Sequence, residues 1–318
     1  MDPRTATLSL PPPGRGTRAV ACLGLVATDF LVRTRFPVPR DTKVRSNRIV
    51  RQGGGPAANA AVGLARLGLH AGFVGAVGDD ALGREQLAEL ADAGVDVGEA
   101  AVIPGGTSFA SLILIDEETG ERTILSAPDD RPVLPADAPF DPSRWDLVLT
   151  DGWLGPAQRA FVAEAREQGV PVLLDAGSFR PETDELLELA NVVIASEPFA
   201  RELAGGPEAA LDRLLARGAL MAAITRGARG ALAGARGSRE HFAVPSVPAR
   251  VLDTTGAGDA FHAGAAFGLV TGLPWGGSLA LGAAVASLVC EQVGPRAGLP
   301  ALAAARLHGR LDSSGADS

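Results

Sequence analysis

The chain has 318 residues, enough for one large α/β domain or two modest ones. Its 46% hydrophobic content and mean hydropathy of +0.17 supply a sizeable core, and a net charge of −8 without a basic block excludes nonspecific nucleic-acid binding as the main task. Arginine replaces lysine almost throughout, Lys43 being the single lysine. The two cysteines, Cys22 and Cys290, stand in apolar runs as reduced buried thiols do, and the four scattered histidines offer no metal-ligand spacing.

Residues 1–17 are rich in Pro, Thr and Arg and lack the apolar core of a signal peptide, so they read as a disordered arm. No run reaches the ~18 apolar residues needed to span a bilayer, and a cytoplasmic protein with no membrane partner is expected. Residues 19–26 form an apolar strand ending near Asp29. Residues 56–67 read as a helix, with Pro56 in its first turn and Gly68 as its stop. A strand follows at 72–77, then a helix capped by Asp80 and ending at Gly94. Short apolar runs at 146–150, 170–175, 191–195 and 220–225 alternate with helical segments, and from Asp259 onward the chain turns helical at 260–269, 275–293 and near 300–309.

This alternation argues for a parallel sheet covered on both faces. Ligands bind such sheets beyond the carboxyl ends of the strands, where Asp29, Asp151 and Asp175 fall; any one of them alone reads as a structural cap. Two segments, about 33–51 and 105–125, alternate in hydrophobicity without an intervening helix. They pair either into a small separate sheet that closes over the cleft or into a decorated edge of the main sheet. One domain is expected over 18–310, with a loose tail at 311–318 and no internal repeat.

The most informative stretch is Asp253-Thr-Thr-Gly-Ala-Gly-Asp259-Ala-Phe-His-Ala-Gly264. It reads as a tight turn running into a helix. Gly256, Ala257 and Gly258 can bring their N–H groups together at a helix N-terminus, where unpaired donors and the dipole favour an anion. Asp259 would repel that anion unless it faces a hydroxyl that must lose its proton while attacking phosphorus. The alternative is an ordinary helix cap. A dinucleotide fingerprint fails because Phe261 stands where its third glycine belongs, and a Walker A loop fails for want of its lysine. A second glycine-rich helix entry runs Gly53-Gly-Gly-Pro-Ala-Ala-Asn59. There Gly54 and Gly55 admit a ligand to the backbone and Asn59 offers both donor and acceptor, which suits a polyhydroxylated compound.

Taken together, the two motifs strongly resemble the ribokinase-like (PfkB) carbohydrate kinases over roughly residues 19–302. The resemblance implies a Rossmann-like three-layer α/β domain with a small β-sheet lid, ATP as donor, Mg²⁺, and often K⁺ beside the anion hole. By position it implies Asp259 as the base and Gly256, Ala257 and Gly258 as the anion hole. Asp29, Gly54, Gly55 and Asn59 match sugar-binding positions, and Thr225 and Gly227 match the nucleotide side. Asp253, Thr255 and Gly294 match the monovalent-cation loop.

One departure concerns the Asn-x-x-Glu motif that helps organise Mg²⁺ in many members. Here the run is Ser196-Glu197-Pro198-Phe199, so Glu197 is the candidate substitute, with a structural role as its alternative. Gly-Gly-Gly-Pro-Ala-Ala, Ser-Glu-Pro and Asp-Thr-Thr-Gly-Ala-Gly-Asp-x-Phe-His are similar to sulfofructose kinases, and residues 120–125 are similar to those enzymes and to ketohexokinases. Lys43 lies where a sulfonate-binding lysine is found, or is a solvated lid charge, and residues 150–153 lack the arginine expected of a sulfonate site. Arg122 on the second lid segment touches a phosphate or decorates the strand. The expected activity is an ATP-dependent sugar kinase acting on a primary hydroxyl of a furanose or ketose of fructose or ribose type. The alternatives are a sulfofructose, sugar-acid or nucleoside kinase, or a catalytically weak sugar- or nucleotide-binding sensor. Dimerisation through the lid is the expected assembly.

Overall fold

A computed structural model describes residues 2–11, 16–46, 48–127 and 130–301. The first half of the chain lays down β1 (Ala19–Leu23), β2 (Ala27–Thr34), β3 (Ile49–Gly54), α1 (Pro56–Arg66), β4 (His70–Val74), β5 (Ala76–Gly78) and α2 (Ala81–Asp92). Then come β6 (Ala101–Ile103), β7 (Ala110–Asp116), β8 (Arg122–Ser126) and β9 (Leu147–Thr150). The second half contains α3 (Gln158–Glu167), β10 (Val172–Ala176), α4 (Pro181–Leu186), β11 (Val192–Ser196), α5 (Glu197–Ala204), α6 (Pro207–Ala216) and β12 (Met221–Thr225). It closes with β13 (Ala231–Ala235), β14 (Phe242–Val244), α7 (Ala257–Val270) and α8 (Trp275–Cys290).

The large sheet has eight strands in the order β14-β13-β12-β11-β10-β9-β1-β4. From β4 to β12 all neighbours run parallel, whereas β13 and β14 are antiparallel additions at one edge. Strands buried on both faces read as continuous apolar runs, and alternate residues of each strand divide between two cores. Val20, Cys22, Leu147, Leu149 and Ile194 face α1, α7 and α8. Ala21, Leu23, Val148, Leu174 and Val193 face α3, α5 and α6. The three-layer architecture expected from the sequence is therefore present, with an antiparallel edge that the alternation did not show.

Helix starts follow local chemistry. Pro56 opens α1, where a missing N–H costs nothing. Asp80 caps α2 by accepting from Gly83 N at 2.7 Å. Gly256 precedes α7 in the left-handed conformation (φ 76°), and a Cβ there would run into Pro295. Helices α7 and α8 approach closely because small residues line their contact: a Cβ on Gly264 would lie 2.8 Å from the Cα of Gly282.

The separate sheet has the order β3-β2-β7-β8. It is wider than residues 33–51 and 105–125, because it begins at Ala27. The strand expected over 19–26 stops at Leu23, so Asp29 belongs to the lid and not to the end of β1. The run expected at 72–77 is likewise two pieces, β4 and β5, the second pairing with β6 outside the main sheet.

The described part of the N-terminal segment is packed, contrary to the expectation of a disordered arm. Pro3 is buried, Ala6, Leu8 and Leu10 lie against the core, and Trp275 N donates to Ala6 O at 2.8 Å. Apolar side chains spaced among the prolines give this segment something to bury. The helix expected near 300–309 falls outside the described residues except for its first two positions, as does the whole tail at 311–318. Among the described residues no helix is long and apolar enough to cross a membrane.

Overpacking a close backbone contact costs about 1–3 kcal/mol. Gly264→Ala is expected to lower the free energy of unfolding by that amount in denaturant titration; an unchanged midpoint would contradict the packing of α7 on α8.

Candidate active site

Beyond the carboxyl ends of β1, β9, β10, β11 and β12 lies a cleft of about 360 Å³, roofed by the lid. Its floor is organised by Asp151, just after β9. Asp151 Oδ2 accepts from Leu25 N at 2.9 Å and Ala57 N at 3.0 Å, and Oδ1 accepts from Trp153 N at 2.8 Å. Burial pushes its carboxyl upward, and these three N–H donors oppose that. One carboxylate thus fixes the exit of β1, the start of α1 and the exit of β9. A Cβ on Gly24 would collide with it.

The lid contributes Asp29 from β2. It pairs across the sheet with Gln52 of β3 and Ser111 of β7, and Ser111 Oγ donates to Asp29 Oδ1. Burial raises the Asp29 carboxyl to about 6; the Ser111 hydrogen bond and Arg296 lower it, while Asp259 and Asp253 raise it. The carboxylate occupies the space a Cβ on Gly54 would need, so the glycine-rich entry makes room for this acid as well as for a ligand.

At the start of α7, Asn59 Nδ2 donates to Asp259 Oδ2 at 2.7 Å. Asn59 Oδ1 accepts from Arg296 Nε at 2.9 Å. Arg296, in the loop after α8, also donates to Gly54 O at 3.2 Å and to Glu89 Oε1 at 2.9 Å. Of the three residues expected to supply anion-hole donors, Ala257 is diverted: its N–H donates to Thr254 O at 3.2 Å. Gly256 and Gly258 line the cleft with Asp259. The Gly256, Gly258 and Asp259 amides have no hydrogen-bond acceptor among the described residues, so they are the donors open to an anion at this helix N-terminus.

Beside the first turn of α7, His262 Nδ1 lies 2.7 Å from Gly258 O and 3.4 Å from Asp175 Oδ2, and its Nε2 lies 3.2 Å from Ile194 O. Asp175 lines the cleft. Burial raises its carboxyl to about 6, His262 lowers it, and Asp259 and Asp151 raise it further. Thr225 and Ser196 also line the cleft. Glu197 does not: it is held by Arg201 at 3.0 Å and by Arg229, and these hydrogen bonds, that of Arg229 foremost, keep its carboxyl below the usual range. Gly227 sits in the turn after β12 at φ 57° and is not part of the cleft wall. Phe199 is fully buried against Phe179.

The cation-loop residues do come together. Asp253 Oδ1 accepts from Thr255 N at 2.8 Å and Thr255 Oγ1 at 2.6 Å, and Oδ2 accepts from Gly294 N at 2.8 Å. The lid is latched to this loop: Arg122 Nη1 donates to Thr254 Oγ1 at 3.0 Å, and Thr254 N donates to Gly120 O at 3.2 Å. Lys43 lies on an exposed loop outside the cleft wall. Arginines do reach residues 150–153, from elsewhere in the chain. Arg180 lies 3.5 Å from the Trp153 ring centre and donates to the carbonyls of Asp151 and Gly152, both at 3.1 Å, while Arg131 lies 5.0 Å from the same ring. Neither arginine lines the cleft.

A pfkB family carbohydrate kinase profile matches residues 17–302. The chain belongs to the pfkB family of carbohydrate kinases. It is 27% identical over 292 residues to a ribokinase of Lactococcus lactis, covering 89% of this chain and 94% of that protein. It is 35% identical over 254 residues to an aminoimidazole riboside kinase of Salmonella typhimurium, covering 73% and 78%. Ribokinase of Arabidopsis thaliana, solved with ribose and ATP, superposes with a TM-score of 0.77 at 22% identity, covering 93% of this chain and 98% of that one, and so shares the fold. The pfkB chain is accordingly a phosphotransferase with an alcohol acceptor, a sugar kinase.

Within this kinase the sequence motifs located the two glycine-rich helix entries and their acids. They did not reveal Arg296, whose position in Pro295-Arg-Ala-Gly298 carries no spacing signal, nor Ser111, which is one polar residue in an alternating strand. A carboxylate in the position of Asp29 accepts hydroxyl hydrogen bonds at full strength only when ionised. Its carboxyl is raised, so protonation sets in as pH falls through about 6. The kcat/KM for the acceptor is expected to fall as pH drops through that value and to level off above it; a profile still flat well below it would contradict this environment for Asp29.

Proposed function

We propose that this pfkB-family kinase transfers the γ-phosphoryl group of ATP to a primary hydroxyl of a neutral sugar, a furanose or ketose of the ribose or fructose type. The observation that carries the acceptor class is the charge of the cleft. Asp29, Asp151, Asp175 and Asp259 all line it, whereas the one guanidinium on its wall among the described residues, Arg122, is tied to Thr254. Two unit charges about 4 Å apart interact by roughly 4 kcal/mol near a protein surface, so a carboxylate, phosphate or sulfonate on the acceptor meets repulsion here. A polyol instead offers donors to every one of these acids.

In this reading Asp29 and Asn59 orient the acceptor, and the Gly54–Gly55 backbone lets it approach. The hydroxyl oxygen attacks the γ-phosphorus in line, the bond from that phosphorus to ADP breaks, and the hydroxyl proton passes to the Asp259 carboxylate. The Gly258 and Asp259 N–H groups meet the charge on the transferred group, a kind of stabilisation that is often the largest single contribution to catalysis. The lid sheet excludes water that would otherwise compete as acceptor.

Thr225, with Ser196, marks the donor side of the cleft. For Mg²⁺ the protein offers a sparse donor set. Glu197 is neutralised by two arginines, and no group of three or more candidate ligands occurs among the described residues. That fits a metal held mainly by the donor's phosphates and water, as Mg²⁺ usually is, with Asp175 as the carboxylate facing the cleft. When bound, the ion would neutralise phosphate charge. K⁺ is assigned to the loop closed by Asp253, Thr255 and Gly294, whose mutual hydrogen bonds support the reading.

We assign the assembly to a homodimer through the lid. Arg51, Phe30, Leu112 and Leu125 stand in one cross-strand row, and Phe30, Leu112, Leu125 and Ile49 are exposed. A second copy offers the same apolar face under two-fold symmetry. Light scattering is expected to give the mass of two chains, and that of one chain for Leu112→Glu; a monomeric wild-type protein contradicts the assignment.

The function is tested by ADP release with MgATP across neutral sugars, nucleosides, sugar acids and sulfofructose. Turnover is expected with a neutral sugar, falling by roughly two to four orders of magnitude in Asp259→Asn. Preferential turnover of an anionic acceptor, or near-normal activity of the variant, contradicts the reading.

A further inference from the structure

Asp259 can serve as a base only if its carboxylate holds one orientation, with one oxygen engaged and the other open to the acceptor. The engaged oxygen is Oδ2, which accepts from Asn59 Nδ2 at 2.7 Å. An amide side chain is ambiguous by itself, since exchanging its oxygen and nitrogen costs nothing sterically. If Asn59 were turned over, its carbonyl would face the carboxylate, and two acceptors would repel each other across that contact. Something must forbid the turn.

Arg296 supplies the constraint. Its Nε lies 2.9 Å from the other end of the Asn59 amide. A guanidinium donates and never accepts, so the Asn59 atom facing it must be the oxygen, and the nitrogen must face Asp259. The guanidinium is itself immobilised. Glu89 of α2 accepts from Nη1 at 2.9 Å, and Gly54 O accepts from Nη2 at 3.2 Å. Its backbone is pinned by Arg66, whose Nη1 donates to Arg296 O at 2.6 Å. Arg296 is only 5% exposed, so water does not replace these contacts. A buried arginine with three separate acceptors, one of them on a residue that touches the base, is more than a strut for the loop.

We propose that Arg296 is a positioning residue for phosphoryl transfer, locking the Asn59 amide so that it donates to Asp259 and leaves the second carboxylate oxygen free for the acceptor's hydroxyl. The chain Glu89–Arg296–Asn59–Asp259 spans four elements that lie far apart in sequence. This rests on the role of Asp259 given under the proposed function. Its geometric part, the locked amide, stands independently of which acceptor is used.

Arg296→Lys keeps the charge and removes the fork, because an ammonium cannot reach Asn59, Gly54 and Glu89 together in the plane that the guanidinium provides. With folding checked by thermal melting, kcat is expected to fall about 10- to 100-fold, while KM for ATP stays unchanged. In Arg296→Ala, added guanidinium is expected to restore part of kcat. A structural strut would be neither rescued in this way nor selective for kcat. An activity-independent arm observes the Asn59 side-chain amide by NMR: slow hydrogen exchange and a single environment in the wild type, both lost in Arg296→Lys. If wild-type protein phosphorylates no acceptor, the kinase reading fails and the NMR arm alone decides the lock. Unchanged kcat in Arg296→Lys, or an Asn59 amide equally ordered in both proteins, overturns the proposal.

Discussion

The site depends on one buried carboxylate. Asp151, at 3% exposure, accepts three backbone N–H groups that tie the first turn of α1 to the adjacent exits of β1 and β9. An ionised carboxylate taken out of water without partners costs several kcal/mol. The same carboxylate with three donors orients all of them. Because the exit of β1 leads into β2, this clamp also sets where the lid leaves the main sheet. It therefore sets where Asp29 hangs over the cleft.

From that point the electrostatics follow. Four acids line the cleft, from the lid, two strand ends and the start of α7, and burial drives two of them, Asp29 and Asp175, up to about 6. Two groups restrain this accumulation: Arg296 is held among Asn59, Gly54 and Glu89 off the cleft wall, and His262 lines the cleft beside Asp175. Among the described cleft residues, free backbone N–H groups gather at the first turn of α7, on Gly256, Gly258 and Asp259. On the proposed function, such a division gives each substrate its own region: hydroxyls at the carboxylates and phosphates at the backbone donors.

Much of this was legible in the sequence, because the decisive signals are local. Glycines before helices, a proline in a first turn and an acid beside an anion hole each carry a short-range mechanism. The parallel core was legible because strands buried on both faces are apolar without interruption. The same continuity hid the end of β1: residues 19–26 are one apolar run, yet the chain leaves the sheet at Leu23, which put Asp29 on the wrong element. Long-range partners carried no such signal. Arg296 lies 237 residues from Asn59, and nothing in its neighbours foretells the contact. Glu197, the first residue of α5, could be read from the sequence as a metal-ligand substitute or as structural, and its partners Arg229 and Arg201 carry no local signal. Ala257 looked like an anion-hole donor until its N–H was found turned back to Thr254.

In the proposed mechanism a neutral sugar's hydroxyl is held between the lid acid and the base at the start of α7. The most direct test is a crystal structure of the ternary complex with a non-hydrolysable ATP analogue and the best-turned-over sugar. A primary hydroxyl is expected within about 2.6–3.2 Å of the free Asp259 oxygen, with Asp29 accepting from other hydroxyls of the same sugar and the terminal phosphate at the Gly258 and Asp259 N–H groups. A sugar bound with that hydroxyl turned away from Asp259, or a terminal phosphate seated elsewhere, would contradict it.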